Sequence, residues 1–179
     1  MPPHPSEHEI MAMQEAYKQA EKQQPRKAEW VAPDEGKRLL LLDLDKTIIF
    51  YDTSKGFFVR PHLATFLATI KDLYSVYIFT AANKSYATAI LNDLKRSYGD
   101  VFKGLLWREN CTGMKAQKGG KKMLIKDIRI ITGCSEKDIL VVDDYPWTYC
   151  LNPENALRVT PFEGNQQDRE LLALAEELK

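Results

Sequence analysis

The sequence predicts an α/β fold: a three-layer arrangement with a parallel sheet at its centre and a short hairpin inserted near its start. Three observations carry this. Apolar runs at residues 38–42, 74–79 and 138–142 each lead into Thr or Asp. Uninterrupted apolar runs of that length are how strands buried on both faces read. Segments with helical apolar spacing alternate with these runs, the order expected of crossover-connected parallel strands with helices on both faces.

The elements follow in chain order. Residues 1–33 are rich in Glu, Gln, Lys, Ala and Pro and form a polar arm, helical or disordered. Within it, Glu7 to Gln23 has Ile10, Met13 and Tyr17 on one stripe, and Pro25 and Pro33 bound it. Residues 34–179 form the main domain. Arg38-Leu-Leu-Leu-Leu-Asp43 is its first buried strand. Ile48–Tyr51 and Gly56–Val59 flank the turn-like Asp52-Thr-Ser-Lys55 and make the hairpin. Pro61 opens a helix carrying Leu63, Phe66, Leu67 and Ile70 at helical spacing. Tyr74–Phe79 is the second buried strand and ends at Thr80. Lys84–Tyr98 is an amphipathic helix with Tyr86, Ile90, Leu91 and Leu94 on one side. Phe102–Trp107 is a short strand, Met123–Thr132 a helix, and residues 138–142 a buried strand ending at Asp143 and Asp144. Ala156–Val159 is a final edge strand, and Gln166–Leu178 a helix with Leu171, Leu174 and Leu178 inward.

Composition narrows the function. Lys plus Arg and Asp plus Glu both number 25, so no global charge argues for nucleic acid or an anionic membrane. No apolar run approaches the roughly 18 residues of a bilayer span. The polar first residues lack the apolar core of a secretory signal. Cys111, Cys134 and Cys150 are odd in number and widely spaced, without metal-ligand or disulfide patterning. An intracellular protein, nuclear or cytoplasmic, and a monomer is expected.

The chemistry lies at the strand ends, where open α/β sheets bind ligands. The first strand ends in Asp43-Leu44-Asp45-Lys46-Thr47, the second in Thr80, a later one in Asp143-Asp144, and Lys126 lies between. A phosphate monoester is an anion, and an anionic nucleophile needs a cation and a divalent metal to approach it. One carboxylate of the Asp43/Asp45 pair is placed to attack phosphorus. The other is placed to protonate the leaving oxygen and later to deprotonate water. A further carboxylate from a neighbouring strand completes a hard oxygen shell suited to Mg2+. Thr80 and Lys126 supply a hydroxyl donor and a point charge for the phosphoryl oxygens.

These residues carry a resemblance. The chain resembles the haloacid-dehalogenase superfamily, whose DxDx(T/V), Thr or Ser, Lys and acidic pair occur in this order on a Rossmann-like sheet. It is most similar to the small C-terminal-domain phosphatases, the FCP/SCP-like or NLI-interacting-factor-like branch. The likeness runs from about Arg38 to Leu178 through Asp43-Leu-Asp-Lys-Thr47, Arg60-Pro-His62, Phe79-Thr-Ala-Ala82, Tyr86-Ala87, Trp107-Arg-Glu-Asn-Cys111, Ile125-Lys-Asp127 and Val142-Asp-Asp144. It implies Asp43 as nucleophile and metal ligand, and Asp45 as general acid and base with its carbonyl on the metal. It implies Thr80 and Lys126 on phosphate, Asp144 as direct metal ligand, and Asp143 as a ligand through water or an orienting group. Two residues depart from the branch: Lys46 stands where Glu is usual, and Asp144 where Asn is common.

The gaps leave no room for the large cap domain many relatives carry, so an open site and a macromolecular substrate are expected. Thr47, Arg108 and the hairpin aromatics Phe50, Tyr51, Phe57 and Phe58 are candidates for substrate contact, although the aromatics equally suit packing of the hairpin on the core. The lysines of residues 113–122 suit an acidic partner or a solvated loop, and without interleaved aromatics no stable nucleic-acid binding is expected. The leading reading is a Mg2+-dependent phosphatase of phosphoserine and phosphothreonine in proteins, RNA polymerase II C-terminal-domain-like substrates among them, acting through an aspartyl-phosphate. The alternatives are a lipid or small-ester phosphatase on the same scaffold, and a catalytically weak scaffold or protein-import-type interaction module, since the tail Pro161–Leu172 is similar to that of mitochondrial import-receptor members.

Overall fold

A computed structural model describes residues 6–22, 25–114 and 123–179. The lysine-rich stretch 115–122 and Gln23 lie outside the described residues. The centre is a five-stranded parallel sheet. Strand β1 (Arg38–Leu42) is its middle, flanked by β4 (Tyr74–Phe79) and β8 (Ile139–Asp143), with β5 (Phe102–Leu106) and β9 (Ala156–Arg158) at the edges. All four leucines of β1 are fully buried, which is what a central strand covered on both faces requires.

Alternation divides those leucines between two layers. Leu40 and Leu42 face a core built from helices α2 (Leu63–Ile70), α3 (Lys84–Tyr98) and α4 (Glu170–Leu178). Leu39 and Leu41 face Val31, Cys111, Ile128, Ile130 and Ile131. The helical stripes of α2, α3 and α4 are inward as their spacing predicts, with Leu63, Phe66, Leu67, Ile70, Ile90, Leu91, Leu94, Leu171, Leu174 and Leu178 buried. Helix α4 begins four residues later than predicted, because the side chains of Asn165 and Asp168 accept the backbone N–H groups of Gln167 and Glu170 and hold the chain in turns.

The helix predicted over Met123–Thr132 does not form. Met123–Ile125 is strand β7, paired antiparallel with β6 (Thr112–Met114), and Ile128–Ile130 is a single 3₁₀ turn. Ile125, Ile128, Ile130, Ile131 and Thr132 are β-branched and lose rotamer freedom in a helix. Asp127 caps the 3₁₀ turn by accepting the Arg129 N–H. Glu29 then exchanges backbone hydrogen bonds with Ile130 and Thr132. The second face of the sheet is therefore covered by 3₁₀ turns and extended segments. Gly133 sits at this seam, where a Cβ would lie 2.1 Å from the Val31 carbonyl oxygen.

Helix α1 (Glu7–Glu21) starts with a capping box, Ser6 and Glu9 each accepting the other's backbone N–H. Its inward residues are Ala16 and Ala20, a different face from the predicted stripe. Ile10 and Tyr17 remain exposed. No helix among the described residues is long and apolar enough to cross a membrane.

The hairpin forms as predicted from β2 (Ile49–Asp52) and β3 (Gly56–Val59), and Arg60 anchors its exit. That guanidinium is 1% exposed. It donates to both carboxylate oxygens of Asp168 at 2.8 and 2.9 Å, to the Thr47 carbonyl at 3.0 Å and to the Thr160 carbonyl at 2.8 Å. A buried charge stripped of its partner costs several kcal/mol. Asp168→Ala is expected to lower stability by about 3 kcal/mol and the melting temperature by roughly 6–12 °C. An unchanged urea midpoint would show that water replaces the carboxylate at no cost.

Candidate active site

The site lies at the carboxyl end of the sheet, where β1, β4 and β8 stop side by side. Beyond β1 the chain must turn sharply to bring two aspartates to one place. It does so at Lys46, whose φ of 63° is left-handed and strained for a residue with a Cβ. The turn is held by the Lys46 N–H donating to the Ile49 carbonyl and the Phe162 N–H donating to the Lys46 carbonyl, both at 2.7 Å. The Lys46 side chain points outward and meets Glu163 at 3.5 Å.

Asp43 is buried at the strand end. One of its oxygens accepts from Lys126 Nζ at 2.7 Å, the other from the Thr47 hydroxyl at 2.8 Å. Together these fix the plane of the carboxylate. Lys126 itself is 1% exposed and is also bonded to Asp143. Its place is set by β7 and by its own N–H donating to the Thr148 carbonyl at 2.6 Å. Burial alone would lower the Lys126 ammonium, but Asp143 and Asp43 outweigh it and hold the group above the ordinary lysine value.

Asp143 uses its second oxygen to accept the Tyr145 N–H at 2.9 Å. Asp144 accepts from the Thr47 hydroxyl at 3.4 Å. Carboxylate oxygens of Asp43, Asp143 and Asp144 lie within 4.8 Å of one another. Burial, and then the charge of Asp43, pushes Asp143 up to about 6 and Asp144 up to about 8. Three acids are therefore gathered around one ammonium that pairs with two of them, Asp43 and Asp143. An all-oxygen, over-negative donor set of this kind fits a small hard divalent cation such as Mg2+.

Asp45 lies beside this cluster in a different environment. Burial raises its carboxyl, and the Tyr86 hydroxyl, donating at 2.5 Å, partly opposes the rise. Tyr86 is raised by burial and by Asp45, so it stays a neutral donor. The helical stripe of α3 assigned Tyr86 to the core. Its ring does pack against that core, and its position in the first turn after the Thr80 strand end also brings its hydroxyl to the site.

Thr80 is buried at the end of β4, with its oxygen accepting the Ala82 N–H at 3.1 Å. Arg108 is exposed and donates to the Ala81 carbonyl at 3.0 Å. The cross-strand pairs Phe50–Phe58 and Tyr51–Phe57 put the hairpin aromatics on opposite faces. Phe57 packs on the core and Phe50 lies against Gly164. Tyr51, 48% exposed, meets Tyr86 edge to face at 5.9 Å, so it is the hairpin ring against the tyrosine that donates to Asp45. Thr47, proposed for substrate contact, is fully buried and turned onto Asp43 and Asp144. Burial pushes the Cys111 thiol up to about 11, a poor nucleophile.

The profile of the NLI interacting factor-like phosphatase family matches residues 38–179. Among curated relatives, the CTD small phosphatase-like protein 1 of Caenorhabditis elegans is 30% identical over 167 residues, covering 82% of this chain and 32% of that protein. The human CTD small phosphatase-like protein is 29% identical over 160 residues, covering 79% of this chain and 55% of that one. The chain thus spans about a third to a half of the length of these relatives. Among solved structures, the fission yeast RNA polymerase II CTD phosphatase Fcp1 bound to beryllium fluoride superposes with a TM-score of 0.56 at 23% identity, over 80% of this chain and 50% of that one. At that identity the likeness establishes the fold.

The acidic cluster sets a pH dependence. The folded carboxyls of Asp143 and Asp144 hold protons up to about pH 6 and 8, against an ordinary value of 3.8. Between those values the folded state binds more protons than the unfolded one, so this part of the stability is present at low pH and is lost as pH rises. A metal must displace the same protons. Millimolar Mg2+ is therefore expected to raise the melting temperature more at pH 8 than at pH 5.5. An equal shift at both pH values, or none, would remove the cluster as a metal site.

Proposed function

The chain belongs to the NLI interacting factor-like phosphatase family, and on that premise we propose that it is a Mg2+-dependent phosphomonoester hydrolase acting on phosphoserine and phosphothreonine in proteins. The observation that carries the reading is the convergence of Asp43, Lys126, Asp143 and Asp144 at the carboxyl end of the sheet, with Asp45 beside them. Asp43, Asp144, the Asp45 carbonyl and Asp143, directly or through water, would hold the metal. Bound there, Mg2+ would neutralise phosphoryl charge and admit an anionic nucleophile.

The residues divide the remaining work. Lys126 and Thr47 hold the Asp43 carboxylate in a fixed plane, and one of its oxygens attacks phosphorus to form an aspartyl-phosphate. As the ester P–O bond breaks, Asp45 gives its proton to the leaving oxygen. The Tyr86 bond occupies one oxygen of Asp45 and leaves the other to carry that proton. In the second half-reaction Asp45 takes a proton from water, the water oxygen attacks phosphorus, and Asp43 is released with inorganic phosphate. Lys126 and Thr80 bind the phosphoryl oxygens throughout.

The substrate class rests on access and on kinship. Only the β2–β3 hairpin separates β1 from α2, and Tyr51 stands exposed against Tyr86, the donor to Asp45. The named relatives are CTD phosphatases, so a peptide with its phosphoryl group inserted at the carboxyl end of the sheet is the substrate we assign.

Purified protein is expected to release phosphate from an aryl phosphate and from phosphoserine peptides only with Mg2+, and Asp43→Asn to lose roughly 10,000-fold. Turnover that survives in Asp43→Asn would dismiss the aspartyl-phosphate route. Tyr86→Phe removes a bond that lowers the Asp45 carboxyl, so Asp45 should titrate at higher pH. We expect kcat/KM to fall about tenfold and the limb of the pH profile set by Asp45 to move upward. A Tyr86→Phe profile that superimposes on the wild type would remove Tyr86 from the site.

A further inference from the structure

Helix α1 precedes the residues that the family profile matches, which start at 38. It nevertheless docks behind the site. Ala16 and Ala20, 8% and 1% exposed, pack on Met114, Ile125 and Cys150, with Met123, Trp147 and Leu151 at the margin. Ile125 immediately precedes Lys126. Trp147 belongs to the 3₁₀ turn Pro146–Tyr149, which follows Asp143 and Asp144 and ends at Cys150. These two segments are joined by the Lys126 N–H to Thr148 carbonyl bond at 2.6 Å. At the other end of the helix, Glu9 lies 3.9 Å from Arg158, whose strand partner is Asp143. One helix thus touches all three segments that set Lys126 against Asp143 and Asp144.

The contact is narrow. Only two alanines of the helix are buried, and Ile10, Met13 and Tyr17 line an open groove of about 570 Å3 with Cys150 and Pro153. The Arg158 Nε and Nη1 atoms are buried without a hydrogen-bond partner among the described residues, so the Glu9 clasp is incomplete. A 15-residue helix has little stability of its own. Its position therefore depends on this docking face. Three acids at the carboxyl end of the sheet repel each other, and the backbone that carries them must be held against that repulsion.

We propose that α1 is a positioning element of the metal site. Docked, it holds β7 and the 146–149 turn in the register that lets Asp143 and Asp144 receive Mg2+; undocked, the carboxylates drift and the ion is bound weakly. The proposal rests on the reading that this site takes Mg2+.

The test is Mg2+ titration by calorimetry of the full chain, wild type against the double variant Ala16→Asp with Ala20→Asp, which puts two charges into the docking face. Outer supports of a metal site typically contribute 10- to 100-fold in affinity. The double variant is expected to bind Mg2+ roughly tenfold more weakly, while kcat at saturating Mg2+ stays within about twofold. Ala20→Ser, small enough to stay docked, should bind as the wild type does. Unchanged affinity in the double variant overturns the proposal. Should that variant not fold, Glu9→Gln decides in its place: affinity about twofold weaker supports the clasp and equal affinity overturns it. A wild-type chain that binds no Mg2+ overturns the functional reading itself, and the role of α1 with it.

Discussion

The rest of the structure depends on one buried cation. Lys126 is held between Asp43 and Asp143 without access to water. Two carboxylates at adjacent strand ends inside a protein are untenable without such a partner, because each loses hydration and repels the other. The ammonium must reach a fixed point, so the chain before it cannot be left to a loose loop. It arrives on β7, paired with β6, and its own N–H is taken by Thr148. The carbonyl that receives it belongs to the turn following Asp144. The site's cation and its acids are therefore tied through backbone as well as through charge.

A second buried cation stands one layer back. Arg60 holds the Thr47 carbonyl, and the Thr47 hydroxyl holds Asp43. Arg60 also grips Asp168 at the start of α4 and Thr160 beyond β9. The hairpin, the turn through Lys46 and the last helix therefore share one anchor. This arrangement keeps a left-handed Lys46 in place, since Phe162, whose ring lies 5.5 Å from the Arg60 guanidinium, donates its N–H to the Lys46 carbonyl. Strain of the order of 1–3 kcal/mol persists where the surroundings over-determine it.

What the sequence made legible follows from how local each signal is. The runs at 38–42, 74–79 and 138–142 are strands because a fully buried strand needs no pattern beyond apolarity, and the residues that close them converge because parallel strands end together. The failures are places where a partner distant in sequence decides. Met123–Thr132 has helical spacing, but Thr112–Met114 and Glu29 claim its backbone. Ile10, Met13 and Tyr17 form the more apolar stripe of α1, yet the shelf made by Met114, Ile125 and Cys150 admits only the alanine face. Four hairpin aromatics were indistinguishable in sequence, and strand register sorted them. Tyr86 packs on the core as its stripe predicts, but one turn of helix carries no sign that its hydroxyl meets an aspartate 41 residues earlier.

Asp43 and Asp45 are chemically identical and two residues apart, and their surroundings separate them. Asp43 meets an ammonium and a hydroxyl, which donate to its two oxygens. Asp45 meets burial, the nearby charge of Asp43 and a single neutral phenol. Burial and a like charge favour the protonated form that an acid must supply. Exchanging the two side chains would exchange nothing, because the assignment resides in Lys126 and Thr47 on one side and Tyr86 on the other. In the proposed reaction, this difference in surroundings is what would divide the nucleophilic and acid roles between the two. The left-handed turn at Lys46 is the device that delivers the two aspartates of one strand end to those two environments.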